Sequence, residues 1–414
     1  MKSIRAMLLI LLCFSKVYAE SIKVGILHSL SGTMSISEQS VVDSTLFAID
    51  EINNNGGVLG RKIEPITKDG ASNWNTFAKE AENLITKDKV NVVFGCWTSA
   101  SRKTVKPLFE KYNHLLFYPV QYEGLESSPN IIYTGAAPNQ QIIPAVKWAM
   151  DTIGKRFYLV GSDYVFPHSA NAIMKDQIKS QNGEVLAEKY VLLGSSDVES
   201  IVEDIVKKRP DIILNTINGD TNVAFFKALR KRGITPSVIP TISFSIAESE
   251  LKAMGTESFE GDFVAWNYFQ SIESNKNQIF IKAFKKRYGE QSVITDPMEA
   301  AYISVHLWAQ AVKIANSIEL KDVKSALKNL SFAAPEGAVS VDAKSNHIWK
   351  NVRIGQIQKD GQFKIIWDTP KPVRPLPYPS YRTKKEWDEF LNALYIQWDK
   401  NWANISFTPS KGEL

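Results

Sequence analysis

The sequence predicts an α/β protein built as two doubly wound lobes, each a parallel sheet covered by helices on both faces. Three observations predict it. Short apolar strands alternate with amphipathic helical stretches from Ile22 onward, and the same alternation restarts after Pro144. At 414 residues the chain also exceeds one ordinary domain, which leaves two lobes of about 150–200 residues.

Ile22 to Leu27 reads as a short buried strand that ends in the loop Ser29-Leu30-Ser31-Gly32. Val42, Leu46 and Ile49 then recur at helical spacing until Asn53-Asn54-Asn55-Gly56-Gly57, which cannot continue a helix. Gly56 to Gly60 follows that helix instead of opening one, so it is a turn and not a phosphate cradle. A second strand, Lys62 to Thr67, precedes a helix with Phe77, Ala81, Leu84 and Ile85 on one face. Asn91 to Gly95 is the third strand, Val105, Leu108, Phe109 and Tyr112 mark the next helix, and Leu115 to Tyr118 is the fourth strand.

In the second half, Phe157 to Gly161, Val185 to Val191, Asp211 to Asn215 and Val238 to Ser243 read as strands. Helices around 169–182, 197–208 and 220–232 separate them. From about 275 the sequence predicts two helices and then shorter strands that return to complete each sheet. The proline- and aromatic-rich tail, Pro370 to Leu414, is expected to be an ordered wrap.

Residues 1–19 have the layout of a cleaved signal peptide: Lys2 and Arg5, the apolar run Ala6 to Phe14, then Val17-Tyr18-Ala19. The run is too short to span a bilayer, which needs ~20 residues. The bulky Leu12 before Cys13 argues against a lipoprotein site. The mature chain is therefore expected to begin near Glu20, to be periplasmic and not to insert into the membrane. Without the leader Cys96 is alone, so no intramolecular disulfide is expected, and the residue reads as a small buried hydrophobe. The net charge of +5 comes from interspersed Lys, Arg, Asp and Glu, with no basic stripe for nucleic acid.

Specific catalytic signals are absent. The five histidines (His28, His114, His168, His306, His347) share no metal-ligand spacing. There is no G-x-S-x-G elbow, phosphate loop or G-x-G-x-x-G fingerprint. Carboxylates such as Glu80 and Glu82 sit on predicted solvent faces. No enzyme activity, cofactor or metal is expected. Open α/β sheets place ligands beyond the carboxyl ends of their strands. There the chain puts Cys96-Trp97-Thr98-Ser99-Ala100-Ser101, Pro119-Val120-Gln121-Tyr122-Glu123-Gly124 and Ser162-Asp163-Tyr164-Val165-Phe166-Pro167. Aromatic walls and uncharged hydrogen-bonding groups form a ligand site on one reading. On the other, Trp97, Tyr118 and Phe166 are core or lid packing, and Ser99 caps a helix.

Together with Thr295-Asp296-Pro297-Met298-Glu299-Ala300-Ala301-Tyr302, Ala334-Pro335-Glu336-Gly337 and Asn346-His347-Ile348-Trp349-Lys350, these segments carry a resemblance. Nearly the whole mature chain resembles the type I periplasmic solute-binding proteins of the branched-chain amino acid and amide group, most closely the urea-binding proteins of urea ABC transporters. The resemblance implies lobe 1 from residues 20–137 and 267–341, lobe 2 from 138–266 and 342–369, a three-segment hinge, and a wrapping tail over 370–414. It also implies docking on ABC permease subunits.

Carried over by position, Ser99 corresponds to the serine that holds the ligand in these families. Trp97, Tyr118, Tyr164 and Phe166 match aromatic pocket positions, and Glu123 lies in the Tyr-Glu-Gly segment shared with the amide sensors. Those sensors have threonine where this chain has Val120, which removes a hydroxyl. Thr98, Gln121, Asn218 and Ser243 complete the expected ligand-binding set. Amino-acid binders of the group use a second-lobe acid for the ligand's ammonium, and the equivalent stretch here is Ser243-Phe244-Ser245. An unpaired buried ammonium is costly, so a small neutral ligand, urea or a short amide, is expected. The alternatives are an amide-sensing regulatory binder, a branched-chain amino acid binder, and an amide-hydrolysing enzyme.

Overall fold

The computed structural model describes residues 20–404. The expected leader, with Cys13, and the last ten residues of the tail lie outside them. The first sheet forms from β1 (Ile22–His28), β2 (Ile63–Asp69), β3 (Val93–Gly95), β4 (Leu116–Tyr118) and β5 (Ile131–Tyr133), all parallel, in the order β2-β1-β3-β4-β5. β1 is apolar on both faces because helices cover both. Those helices are α1 (Ser35–Asn54), α2 (Trp74–Thr86) and α3 (Ser99–Lys111). The Asn73 side chain caps α2 by accepting from the Thr76 N–H at 3.0 Å. Gly95 is dictated by the approach of β3 to β1: a Cβ there would lie 2.2 Å from the Leu27 carbonyl oxygen.

After α4 (Ile142–Thr152) the second sheet runs through β6 (Arg156–Ser162), α5 (Val165–Ser180), β7 (Glu184–Val191), α6 (Glu199–Lys208), β8 (Ile212–Thr216), α7 (Thr221–Lys231), β9 (Thr241–Ser243), α8 (Glu248–Met254) and β10 (Phe263–Trp266). The later segments add α9 (Asn275–Tyr288), α10 (Asp296–Ala315), α11 (Leu320–Leu327), β11 (Ser331–Ala334), β12 (Gly337–Val341), β13 (Ile348–Trp349), β14 (Arg353–Ile357), β15 (Phe363–Asp368) and α12 (Lys384–Gln397). The second sheet is ordered β15-β14-β10-β9-β8-β6-β7, with β14 and β15 antiparallel to their neighbours.

The structure departs from the sequence expectations in several places, beginning with β5, α4, α8 and β10, which the residue pattern does not predict. Three helices, α9, α10 and α11, and not two, lie between residue 275 and the late strands. Of the returning strands only β14 and β15 join a main sheet; β11, β12 and β13 form a small antiparallel sheet of their own, tied to β5 by a bridge between Tyr133 and His347. α5 starts at Val165 instead of 169, so Phe166 and Pro167 lie in its first turn. Residues 238–240 are not strand, because the N–H groups of Val238 and Ile239 both bond to the Thr235 carbonyl in a turn.

The chain passes between the two main sheets three times: after β5, after β10 and between β13 and β14. Asn267, on the second passage, joins all three. Its Nδ2 donates to the Gln140 carbonyl at 2.9 Å and to the Asn351 carbonyl at 2.6 Å. The tail continues the second core: Trp387, Leu391, Leu394, Trp398 and Ala403 pack with Phe157, Leu159 and Ile173. The Pro377 carbonyl accepts the Leu125 N–H at 2.8 Å, so the tail also touches the first lobe.

Candidate functional site

The turn from β3 into α3 sets the site. Cys96 there has φ of +66°, a strained value for a residue with a Cβ, and its N–H bonds to Leu27 of β1. Burial, and then the charge of Glu38, push its thiol up, so it is no reactive nucleophile. Thr98, and not Ser99, caps α3 by accepting from the Ser101 N–H at 3.1 Å. Ser99 opens the helix and Arg102 follows one turn later on the same face.

Around them lies a buried charge network. Arg102 donates from Nε to Glu126 at 3.0 Å, from Nη1 to the Ser99 hydroxyl oxygen at 3.0 Å, and from Nη2 to Glu123 at 3.0 Å. The Ser99 hydroxyl donates to the other Glu123 oxygen. Lys103 and Tyr133 both donate to Glu126, at 3.1 and 2.8 Å. The guanidinium also lies over the Tyr118 and Tyr122 rings, at 4.7 and 4.3 Å. Two cations face two carboxylates. Burial opposes ionisation of Glu126, but Arg102 and Lys103 outweigh it and hold its carboxyl well below the usual range. The free roles expected of Ser99 as donor and Glu123 as acceptor are thus already taken up inside the protein.

The aromatic residues close over this network from both sheets. The Tyr118 hydroxyl donates to the Trp97 carbonyl at 2.5 Å. Tyr164, at the start of α5, is fully buried; after burial itself, Tyr118, Glu123 and Glu38 contribute to raising its hydroxyl. Phe166 lies 6.3 Å from Tyr164, ring to ring, and α3 packs against α5. Gln121 crosses the seam, donating to the Phe244 carbonyl at 2.8 Å and to Ser245 at 3.3 Å. The structure therefore gathers Trp97, Thr98, Ser99, Tyr118, Gln121, Glu123, Tyr164 and Phe166 at one seam. Asn218 and Ser243 are buried too, but their hydrogen bonds stay in the second lobe: Asn218 to Ser162 and Thr216, Ser243 to Asn215.

Sequence reading missed Arg102, Lys103 and Glu126. The i to i+3 spacing of Ser99 and Arg102 was the available signal, but a charged helical residue reads as solvated. It also missed His28 and Glu38. His28 Nδ1 and the Ser29 N–H bind one Glu38 oxygen at 2.9 and 2.8 Å, and both side chains are fully buried.

A second buried cluster lies at the chain passages. Asp296 accepts from the N–H groups of Asn267 and Tyr268 at 2.9 and 2.8 Å, Glu299 accepts from the Glu336 N–H at 3.1 Å, and Lys350 pairs with Glu336 at 3.1 Å. Burial and the neighbouring Glu336 push the Glu299 carboxyl well up. The segments around Asp296, Glu336 and Lys350 thus frame the passages and not the seam. A cavity of about 430 Å³ lined by Ile143, Lys147, Trp148, Gln177 and Trp367 shares no residue with either cluster. Among the described residues no group of three or more His, Cys, Asp or Glu side chains is placed to hold a metal, and no helix is long and apolar enough to cross a membrane.

Comparison with known proteins agrees with this architecture. A Leu/Ile/Val-binding protein homolog 6 from Brucella melitensis is 23% identical over 361 residues, covering 85% of this chain and 92% of that protein. A limonene hydroxylase from Geobacillus stearothermophilus is 32% identical over 124 residues, but these are 30% of this chain and 23% of that protein, so the chain spans under a quarter of its length. A solute-binding protein of an ABC transporter from Rhodopseudomonas palustris, in complex with 4-hydroxybenzoate, superposes with a TM-score of 0.78 at 24% identity over 85% of this chain and 98% of its own. A leucine-binding protein from Thermotoga maritima superposes with a TM-score of 0.74 at 18% identity, over 84% and 98%. These structures share the type I fold of two α/β lobes. Residues 22–384 match the periplasmic binding protein domain family, and the chain belongs to that family.

Proposed function

We propose that the protein is the periplasmic solute-binding component of an ABC transporter, and that it encloses urea or a short amide between its lobes for delivery to the permease. The observation that carries the choice of ligand is the saturation of Arg102. Each of its three nitrogens already donates inside the protein, to Glu126, Ser99 and Glu123, and two carboxylates share its charge. An acid such as benzoate needs an unpaired cation when it leaves water, and the charge of this guanidinium is already paired with Glu123 and Glu126. Buried aromatic faces with uncharged polar groups suit a small planar neutral molecule.

A thermal-shift and calorimetric screen of the mature chain against urea, acetamide, leucine and 4-hydroxybenzoate tests this. A ligand of the native state alone adds about 2.7 kcal/mol at a hundredfold excess over its dissociation constant. Urea or acetamide should raise the melting temperature at non-denaturing concentration without being consumed. A shift by leucine or 4-hydroxybenzoate and none by the neutral ligands overturns the reading. Leucine is the second candidate, because the Leu/Ile/Val-binding homologue aligns over most of both chains.

A further inference from the structure

The end of β1 and the first turn of α1 carry two buried polar atoms with no partner among the described residues. Among the described residues, Oε1 of Glu38 and Nε2 of His28 have no hydrogen-bond partner, although both side chains are fully buried. Each residue is bound only on its other side. Glu38 Oε2 takes the Ser29 N–H and His28 Nδ1. A carboxylate oxygen accepts, so Nδ1 is the donor of that pair. Oε1 and Nε2 are thus left bare, at a cost the fold does not recover through its own contacts.

Their position is the interlobe seam. Thr33 donates to Asp220 at 2.6 Å and Ser37 to Glu250 at 2.6 Å, so two residues just before Glu38 reach the second lobe. A Cβ on Gly219 of that lobe would stand 3.1 Å from Thr33 Oγ1. The charge of Glu38 also acts on Cys96, beside Trp97, and on Tyr164 of the second lobe, after burial in both cases. Glu38, next to Ser37, is therefore close to the contact between the lobes, where the solute-binding reading puts the ligand.

We propose that Glu38 and His28 are ligand contacts: Oε1 of Glu38 accepts an N–H group of the bound solute, and Nε2 of His28 is the ring atom left to meet it. This rests on the reading that the seam is the binding cleft, and it deepens it by naming the ligand's chemistry, a molecule with N–H donors. Neutral ureas and primary amides supply them, and so does the ammonium of an amino acid.

The test is calorimetric titration of the full mature chain, wild type, Glu38→Gln and Glu38→Asp, with urea, acetamide, leucine and 4-hydroxybenzoate. Glu38→Gln keeps the shape and can offer a donor where an acceptor stood. Loss of a charge-assisted hydrogen bond should weaken binding of the N–H ligand roughly ten- to hundredfold. Glu38→Asp keeps the charge but withdraws it, and should weaken binding by a smaller factor. Should the variants not fold, nuclear Overhauser contacts from ¹⁵N-urea protons, or from leucine if that is what binds, to the His28 ring and the Glu38 amide in the wild type decide the matter. If the wild type binds leucine and not urea, the urea reading fails. Loss of leucine binding in Glu38→Gln then still supports the contact. Overturning results are an N–H ligand bound within twofold by Glu38→Gln, no Overhauser contact to either residue, or a wild type that binds only 4-hydroxybenzoate or none of the probes.

Discussion

Arg102 and Glu123 form an ion pair at 3.0 Å in which neither side chain is exposed, and Ser99 is bound to both. Stability and the shape of the seam therefore depend on the same three residues. Removing one partner of a buried pair costs about 3–5 kcal/mol, because the other charge remains buried alone. Arg102→Met is expected to lose that much in guanidinium chloride unfolding. A loss below about 1 kcal/mol would show the network to be solvated in solution.

Acid should destabilise the protein through His347. Burial lowers its ring to about 4; the ring stacks on Tyr133 at 4.2 Å and pairs with the Tyr122 hydroxyl. A free imidazole titrates near ~6.5. The unfolded chain thus takes up a proton first, and the stability present above pH ~6.5 is lost as pH falls toward 4. The gap corresponds to about 3 kcal/mol. Unfolding free energies of wild type and His347→Gln at pH 7 and pH 4 should differ in their acid loss by that order, and equal losses would contradict it.

Alkali should act on Glu248 with the opposite sign. Burial raises its carboxyl to about 8, and one oxygen accepts from the Gln270 N–H at 2.9 Å. The folded state holds a proton that the unfolded chain gives up near its ordinary value, so stability falls as pH rises from about 4.5 to 8. Glu248→Gln keeps an acceptor without the charge and should flatten the loss. A variant with the wild-type pH dependence would refute the assignment.

Asn267 ties the three chain passages. Asn267→Ala leaves the Gln140 and Asn351 carbonyls without these donors and should cost about 1–3 kcal/mol. Small-angle scattering should show its unliganded form more expanded than the wild type. Wild-type dimensions together with wild-type stability would mean that the passages are held elsewhere.

The tail should prove to be part of the second core. Trp387 is fully buried and its indole N–H donates to the Pro379 carbonyl at 2.9 Å. Trp387→Ala is expected to cost about 3–5 kcal/mol. A truncation after Asp368 should unfold more easily still, and truncated protein as stable as the full chain would refute the packing.

The order of strands and helices was legible in the residues because it is local. Ile22 to Leu27 and Phe157 to Gly161 are mostly apolar runs, which a covered parallel sheet satisfies, and the turn at Gly56-Gly57 is forced by backbone geometry. The grouping of Trp97, Ser99, Tyr118 and Glu123 followed from the rule that loops at strand carboxyl ends converge. Tertiary structure alone decided which polar groups are spent. Arg102 and Lys103 on a helix read as solvated side chains until the loop carrying Glu123 and Glu126 folds over them. Glu38 and His28, ten residues apart, become neighbours only when α1 turns back on β1. Spacing along a chain sets which face a residue takes. Whether a charge is paired, bare or in water depends on what packs against that face from elsewhere, and single-sequence periodicity does not carry that information.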